Sequence, residues 1–123
     1  MRGALLGLVA GALLLAGCAR SDPPKAVAGD DGMVLSAKEI ERSTRDARLG
    51  DASAAVKLAI HYETKEPADI TVSRRWWLVA ARRGDCSATE ALYERFTLTG
   101  DVPDLSTAQT LERLRAKCAR SRH

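Results

Sequence analysis

Aromatic residues are almost missing from this 123-residue chain, which has one Phe, two Tyr and two Trp. A sheet core draws on aromatic and β-branched side chains, and runs of β-branched residues are short here as well. Alanine and leucine are left to fill a core, and they suit closely packed helices, so the chain is read as all-α. Histidine is as scarce, with only His61 and the terminal His123. A metal centre needs three or four ligands with paired spacing, so no metal or cofactor is expected and His61 reads as a partly buried helix residue. No glycine-rich phosphate loop and no G-x-S-x-G turn is present. Glu39, Glu41, Glu90 and Glu94 read as solvated charges on helix surfaces, so no acid–base pair stands out and the chain is read as a non-enzyme. The formal net charge is only +3, too small an excess to argue for a nucleic-acid partner.

Nor is there an apolar run of the roughly 20 residues that cross a bilayer. The stretch from Ala4 to Ala16 is shorter, follows Arg2 and ends in small residues, which is the build of a secretory signal. Its last four positions, Leu15-Ala16-Gly17-Cys18, resemble the bacterial lipobox. That resemblance implies removal of residues 1–17 and attachment of diacylglycerol to the Cys18 sulfur, with the new amine also acylated. Each buried CH₂ adds about 0.8 kcal/mol to membrane affinity, so two or three chains hold firmly where one does not. Ala19 stands where an Asp would resemble an inner-membrane retention signal. The expected address is therefore the inner leaflet of the outer membrane, facing the periplasm. Residues 18–34 follow as a lipidated tether, because "ARSDPPKAVAGDDGMV" is rich in Pro, Gly, Ala and Asp and lacks periodicity. Residues 35–123 are left for one helical domain.

Within that domain, "DARLGDASAAVKLAIHY" and "AARRGDCSATEALYERF" match at an offset of 34. Ala47, Gly50, Asp51, Ser53 and Ala54 recur as Ala81, Gly84, Asp85, Ser87 and Ala88. A period of this size signals stacked helix hairpins. The glycines can close one helix in a left-handed conformation, and the aspartates that follow can cap the next. Ser36-Ala37-Lys38-Glu39 reads as a capping box with Leu35 and Ile40 as its hydrophobic staple. The predicted helices then run from there to about Leu49, from Asp51 to Thr64, from Ile70 to Arg83 and from Asp85 to Leu98. A fifth begins at a second capping box, Ser106-Thr107-Ala108-Gln109. The second and fourth helices carry matching faces, Ala54, Leu58 and Tyr62 against Ala88, Leu92 and Phe96, at i, i+4 and i+8.

These residues resemble the Sel1-like repeats, relatives of the tetratricopeptide repeats, over about residues 39–118. Ala80-Ala81-Arg82-Arg83-Gly84 is similar to that family's AA-x-x-G turn, and Ala88, Leu92 and Phe96 to its A-x-x-x-L-x-x-x-Y face. Ala59 and Tyr93 stand where the family has a helical glycine. The resemblance implies about two to two and a half antiparallel helix hairpins. It also places Trp76 inward, at the aromatic position of the first helix of a unit.

With Trp76 inward, the adjacent Trp77 points about 100° away and is expected at the surface. Arg74, Arg75 and Arg82 flank it, and aromatic residues with arginine make typical binding anchors; these four residues are the expected partner-binding set. Lipidation of Cys18 leaves Cys86 and Cys118, an even pair in an exported chain. An antiparallel hairpin turning near residue 102 sets both at the same height, so a disulfide is expected. The function read from this is a lipid-anchored protein–protein adaptor, facing the periplasm within an envelope or secretion assembly. The alternative is a small inhibitor or immunity-type lipoprotein that neutralises an enzyme acting at the envelope.

Overall fold

The structure is a computed structural model describing residues 34–122. Cys18, the signal-like segment 1–17 and nearly all of the tether lie outside the described residues. Those described form five α-helices: α1 Ala37–Arg48, α2 Ala52–Thr64, α3 Ile70–Arg82, α4 Cys86–Thr99 and α5 Leu105–Ser121.

Each start has a local cause. Ahead of α1, Ser36 Oγ accepts from the Glu39 N–H at 3.2 Å while Glu39 Oε2 accepts from the Ser36 N–H at 2.8 Å, the reciprocal capping box. Leu35 and Ile40 both pack against the core beside it. Asp51 Oδ1 accepts from the Ser53 and Ala54 amides, and Asp85 Oδ1 from the Ala88 amide. Between them, α1 and α3 end alike. Gly50 and Gly84 take φ of 108° and 96°, which only glycine adopts without strain. Their amides donate back to Ala47 and Ala81, and those of Asp51 and Asp85 to Asp46 and Ala80, satisfying carbonyls that a helix end otherwise leaves open. The fifth start differs from expectation. Asp104, not Ser106, is its cap, with Oδ1 accepting from the Thr107 N–H at 2.9 Å. A cap at Ser106 would serve the Gln109 amide; capping at Asp104 starts the helix two residues earlier and places Ser106 inside its first turn.

Successive helices pack on one another in chain order. Turns of three residues at 49–51 and 83–85 make the pairs antiparallel. The core is built mostly of alanines, Ala47, Ala54, Ala55, Ala59, Ala80, Ala81 and Ala88, around Leu58, Leu92, Leu111 and Trp77. Alanine lets backbones approach closely, and Ser73, wholly buried, donates from Oγ to the Ala59 carbonyl at 2.8 Å across α2 and α3. Every member of this core lies between Leu35 and Cys118.

The phase of α3 corrects the expectation for its tryptophans. Trp77 is buried, 5% exposed, and Trp76 is only half-buried. Ser73, Trp77, Ala80 and Ala81 form the inward stripe, at i, i+4, i+7 and i+8. Ser73 fixes that stripe because its hydroxyl, wholly buried, is held by the Ala59 carbonyl of α2.

The stack has two distinct ends. The 49–51 and 83–85 turns and the last turn of α5 share one end, where Cys86 and Cys118 sit at disulfide distance, Cα–Cα 5.7 Å. At the other end lie Val34, the 65–69 connection and the 100–104 connection.

Candidate functional site

At the Val34 end, α4 and α5 part and leave an open groove of about 630 Å³ lined by Tyr93, Phe96, Val102, Pro103, Leu105 and Leu111. The sequence produces this directly. Pro103 cannot continue a helix, and Asp104 restarts one at Leu105, so the five-residue connection swings α5 away from the end of α4. Leu98, Val102 and Leu105 are 78%, 88% and 73% exposed. Apolar side chains so exposed, grouped at one connection, are what an unfilled binding surface presents.

A second, shallower groove of about 300 Å³ lies on the α3 side of Phe96 and Pro103, with Arg74, Arg75, Leu78 and Thr107 along it. Phe96 and Pro103 line both. Arg74 divides them. Its Nη1 lies 2.8 Å from Asp101 Oδ2, its Nη2 donates to Thr99 Oγ1 at 3.0 Å, and its guanidinium carbon is 4.7 Å from the Phe96 ring centre. The Arg74 hydrogen bond, with a second from Thr99, holds the Asp101 carboxyl below its usual range. Arg74 Nε is buried and has no partner among the described residues. An unmet buried N–H is costly; the ion pair to Asp101, the Thr99 hydrogen bond and the Phe96 stack are what hold the guanidinium in place.

On the far wall of the larger groove, Arg115 lies over the Tyr93 ring, 3.6 Å from its centre, and 3.3 Å from Glu90 Oε1. The larger groove thus has an apolar floor and one arginine–aromatic wall.

The expected partner-binding residues are divided by the fold. Arg74 and Arg75 line the smaller groove. Arg82 is exposed at the other end of α3. Trp77 is interior, where its Nε1 donates to Glu63 Oε2 at 3.3 Å and the Arg95 guanidinium lies 4.4 Å from its ring centre. Arg95 closes the cluster with two hydrogen bonds to Glu63, Nη2 to Oε1 at 2.6 Å and Nε to Oε2. Burial pushes the Glu63 carboxyl up, but the Arg95 hydrogen bonds and charge outweigh it and the net direction is down. This cluster bolts α2 to α4 across α3. Nothing in the sequence announces it, since Glu63 and Arg95 are 32 residues apart and each reads as a surface charge.

His61 is buried, and its Nδ1 accepts from the Leu35 N–H at 2.9 Å. Burial, with Lys65 nearby, lowers its pKa from the ordinary value. The ring is therefore an acceptor that pins the start of the domain to α2. Among the described residues, no three His, Cys, Asp or Glu side chains cluster as metal ligands, and no helix is long and apolar enough to cross a membrane. No family model, curated protein or solved structure matches the chain.

Proposed function

We propose that this chain is a non-enzymatic, lipid-anchored adaptor that binds a protein partner in the groove between α4 and α5. In this reading Cys18 carries the lipid, the domain faces the periplasm from the outer membrane, and its helices are a short run of Sel1-like hairpins. The paired glycine closures and aspartate caps at 50–51 and 84–85 support the repeat reading. The observation that carries the function is the groove itself, with Val102 and Leu105 88% and 73% exposed at its mouth and Arg115 stacked on Tyr93 in its wall. Apolar side chains of a partner segment would cover Val102 and Leu105.

A photocrosslinker in place of Val102 should give one discrete protein adduct in native envelopes. The same group in place of Lys38, exposed near the start of α1, should not. Val102→Asp with Leu105→Asp should abolish co-purification of that partner while the melting temperature stays within a few degrees. An adduct that forms equally well from both positions, or survives the double variant, refutes the groove as the interface. Lipidation is tested separately: labelled palmitate should enter the chain, and Cys18→Ser should end both labelling and cleavage.

A further inference from the structure

The end of the stack opposite the groove is basic. Arg45 and Arg48 close α1, Arg82 and Arg83 close α3, and Lys117, Arg120 and Arg122 close α5. All seven are exposed, and none takes part in an ion pair among the described residues. They are one surface because the fold gathers them. A methyl group on Gly50 would lie 3.7 Å from Arg83 Nη1, and the Cys86–Cys118 pair holds the end of α5 against the start of α4. A cation in the last turn complements the helix dipole, and that accounts for one per helix rather than two or three. Leu49, 80% exposed, stands among them on the α1–α2 turn. Of the acidic residues at this end, Asp51 and Asp85 are engaged in capping, and Asp46, between Arg45 and Arg48, is outnumbered by the seven cations. Acidic side chains gather instead at the Val34 end, where Glu39, Glu66, Asp69, Asp101 and Asp104 lie.

We propose that this basic, leucine-tipped end docks on the anionic headgroups of the bilayer that holds the anchor, turning the α4–α5 groove outward. This rests on the lipid-anchor reading of Cys18. The tether makes it geometrically available. The sixteen residues from Ala19 to Val34 reach at most about 55 Å when extended. The longest helix, α5 with 17 residues, is only about 25 Å long. The chain can therefore run from the bilayer to Val34 with the basic end down. Attachment keeps the anionic surface at high effective concentration, and each Lys or Arg near it strengthens partition about fivefold. Leu49 adds an apolar tip of the kind that enters the headgroup boundary.

The test uses the chain from Ala19 onward, which keeps the whole described core and carries no lipid, so its outcome does not depend on whether Cys18 is modified. Sedimentation with phosphatidylcholine vesicles, with and without phosphatidylglycerol, should show more than about 25-fold tighter binding to the anionic ones. That binding should vanish near 1 M salt, where the Debye length is about 3 Å. Arg82→Gln with Arg83→Gln should weaken it about 25-fold, while Lys38→Gln with Lys65→Gln at the other end leaves it within about twofold. Circular dichroism of the same samples checks folding, and Lys117→Gln with Arg120→Gln is the substitute if the first pair unfolds. Equal binding to both vesicle types, equal loss from the two ends, or binding to neither would overturn the proposal; the last would assign the basic end to an acidic protein.

Discussion

Replacing Trp77 by alanine is the most informative single change, because it tests helix phase, packing and the ion pair together. Trp77 is 5% exposed in a core whose largest wholly buried side chains are otherwise Leu58 and Leu92. Truncating a buried aromatic to alanine costs about 3–5 kcal/mol, through lost transfer energy and the cavity left behind. The upper half of that range applies here, since the Nε1 hydrogen bond to Glu63 and the Arg95 stack go as well. A small domain has only about 5–15 kcal/mol in hand, so the melting temperature should fall by roughly 15–30 °C. Trp76→Ala removes a half-buried ring and should cost about 1–2 kcal/mol, in proportion to the apolar area it covers. Trp77→Phe, which keeps most of the volume and loses the indole N–H, should fall between them. Urea denaturation of the three variants, followed by helicity at equal protein concentration, gives the ordering. If Trp76→Ala proves as damaging as Trp77→Ala, the inward stripe Ser73–Trp77–Ala80–Ala81 is wrong.

Arg95→Ala should destabilise more than Glu63→Gln, by about 1–3 kcal/mol against 1 kcal/mol or less, because it leaves a partly buried carboxylate uncompensated whereas the amide can still accept from Trp77; chemical denaturation of both variants checks the order. Non-reducing peptide mapping should find Cys86 joined to Cys118, and reduction should lower stability by about 3–4 kcal/mol for a loop of this length. Two freely alkylated thiols in protein from its native compartment would contradict this. Stability should also fall as pH drops from about 7 to 5. His61 has its pKa lowered in the folded state, so below about 6.5 the unfolded chain binds a proton that the folded chain resists, and folding free energy is lost progressively. The lowered carboxylates Glu63 and Asp101 act in the same direction only at lower pH, so His61→Gln should flatten the upper part of the curve.

Helix existence and helix limits were legible in the sequence because they are set locally. The capping box at Ser36 and the Gly-Asp closures at 50–51 and 84–85 need only neighbouring residues, and they stand where the spacing put them. The start of α5 was misjudged because Asp104 and Ser106 are both good caps, and a cap at Asp104 starts the helix two residues earlier, which leaves Ser106 inside its first turn. The tryptophan phase was lost for a different reason. The family resemblance set Trp76 inward, although the offset of 34 pairs Trp77 with Ser43, which is itself buried. Ser73 was the missing signal. A polar residue is not counted in an apolar stripe, yet a small hydroxyl can be wholly buried when a carbonyl stands opposite. The groove was out of reach, since it depends on how far α5 swings from α4, and no residue pattern encodes that angle.

The placement of the two cysteines and the placement of the groove follow from one property of the last helix. α5 packs chiefly on α4, and its buried residues are Thr110, Leu111 and Cys118. Two of the three, Leu111 and Cys118, lie a heptad apart on the same face, and nothing comparable is buried between Leu105 and Gln109. Burial of so few side chains holds a terminal helix weakly, because the entropy of ordering it is set against little apolar area. A crosslink at the groove end would have closed the gap between Phe96 and Leu105. At the opposite end, the Cys86–Cys118 pair restrains α5 without drawing its first turns onto α4. One end is held and the other stays apart, and the separation left by the Pro103–Asp104 restart is what exposes Val102 and Leu105. The sparse packing of α5 is therefore what makes the groove, and the cysteine pair is what lets so sparsely packed a helix remain part of the fold.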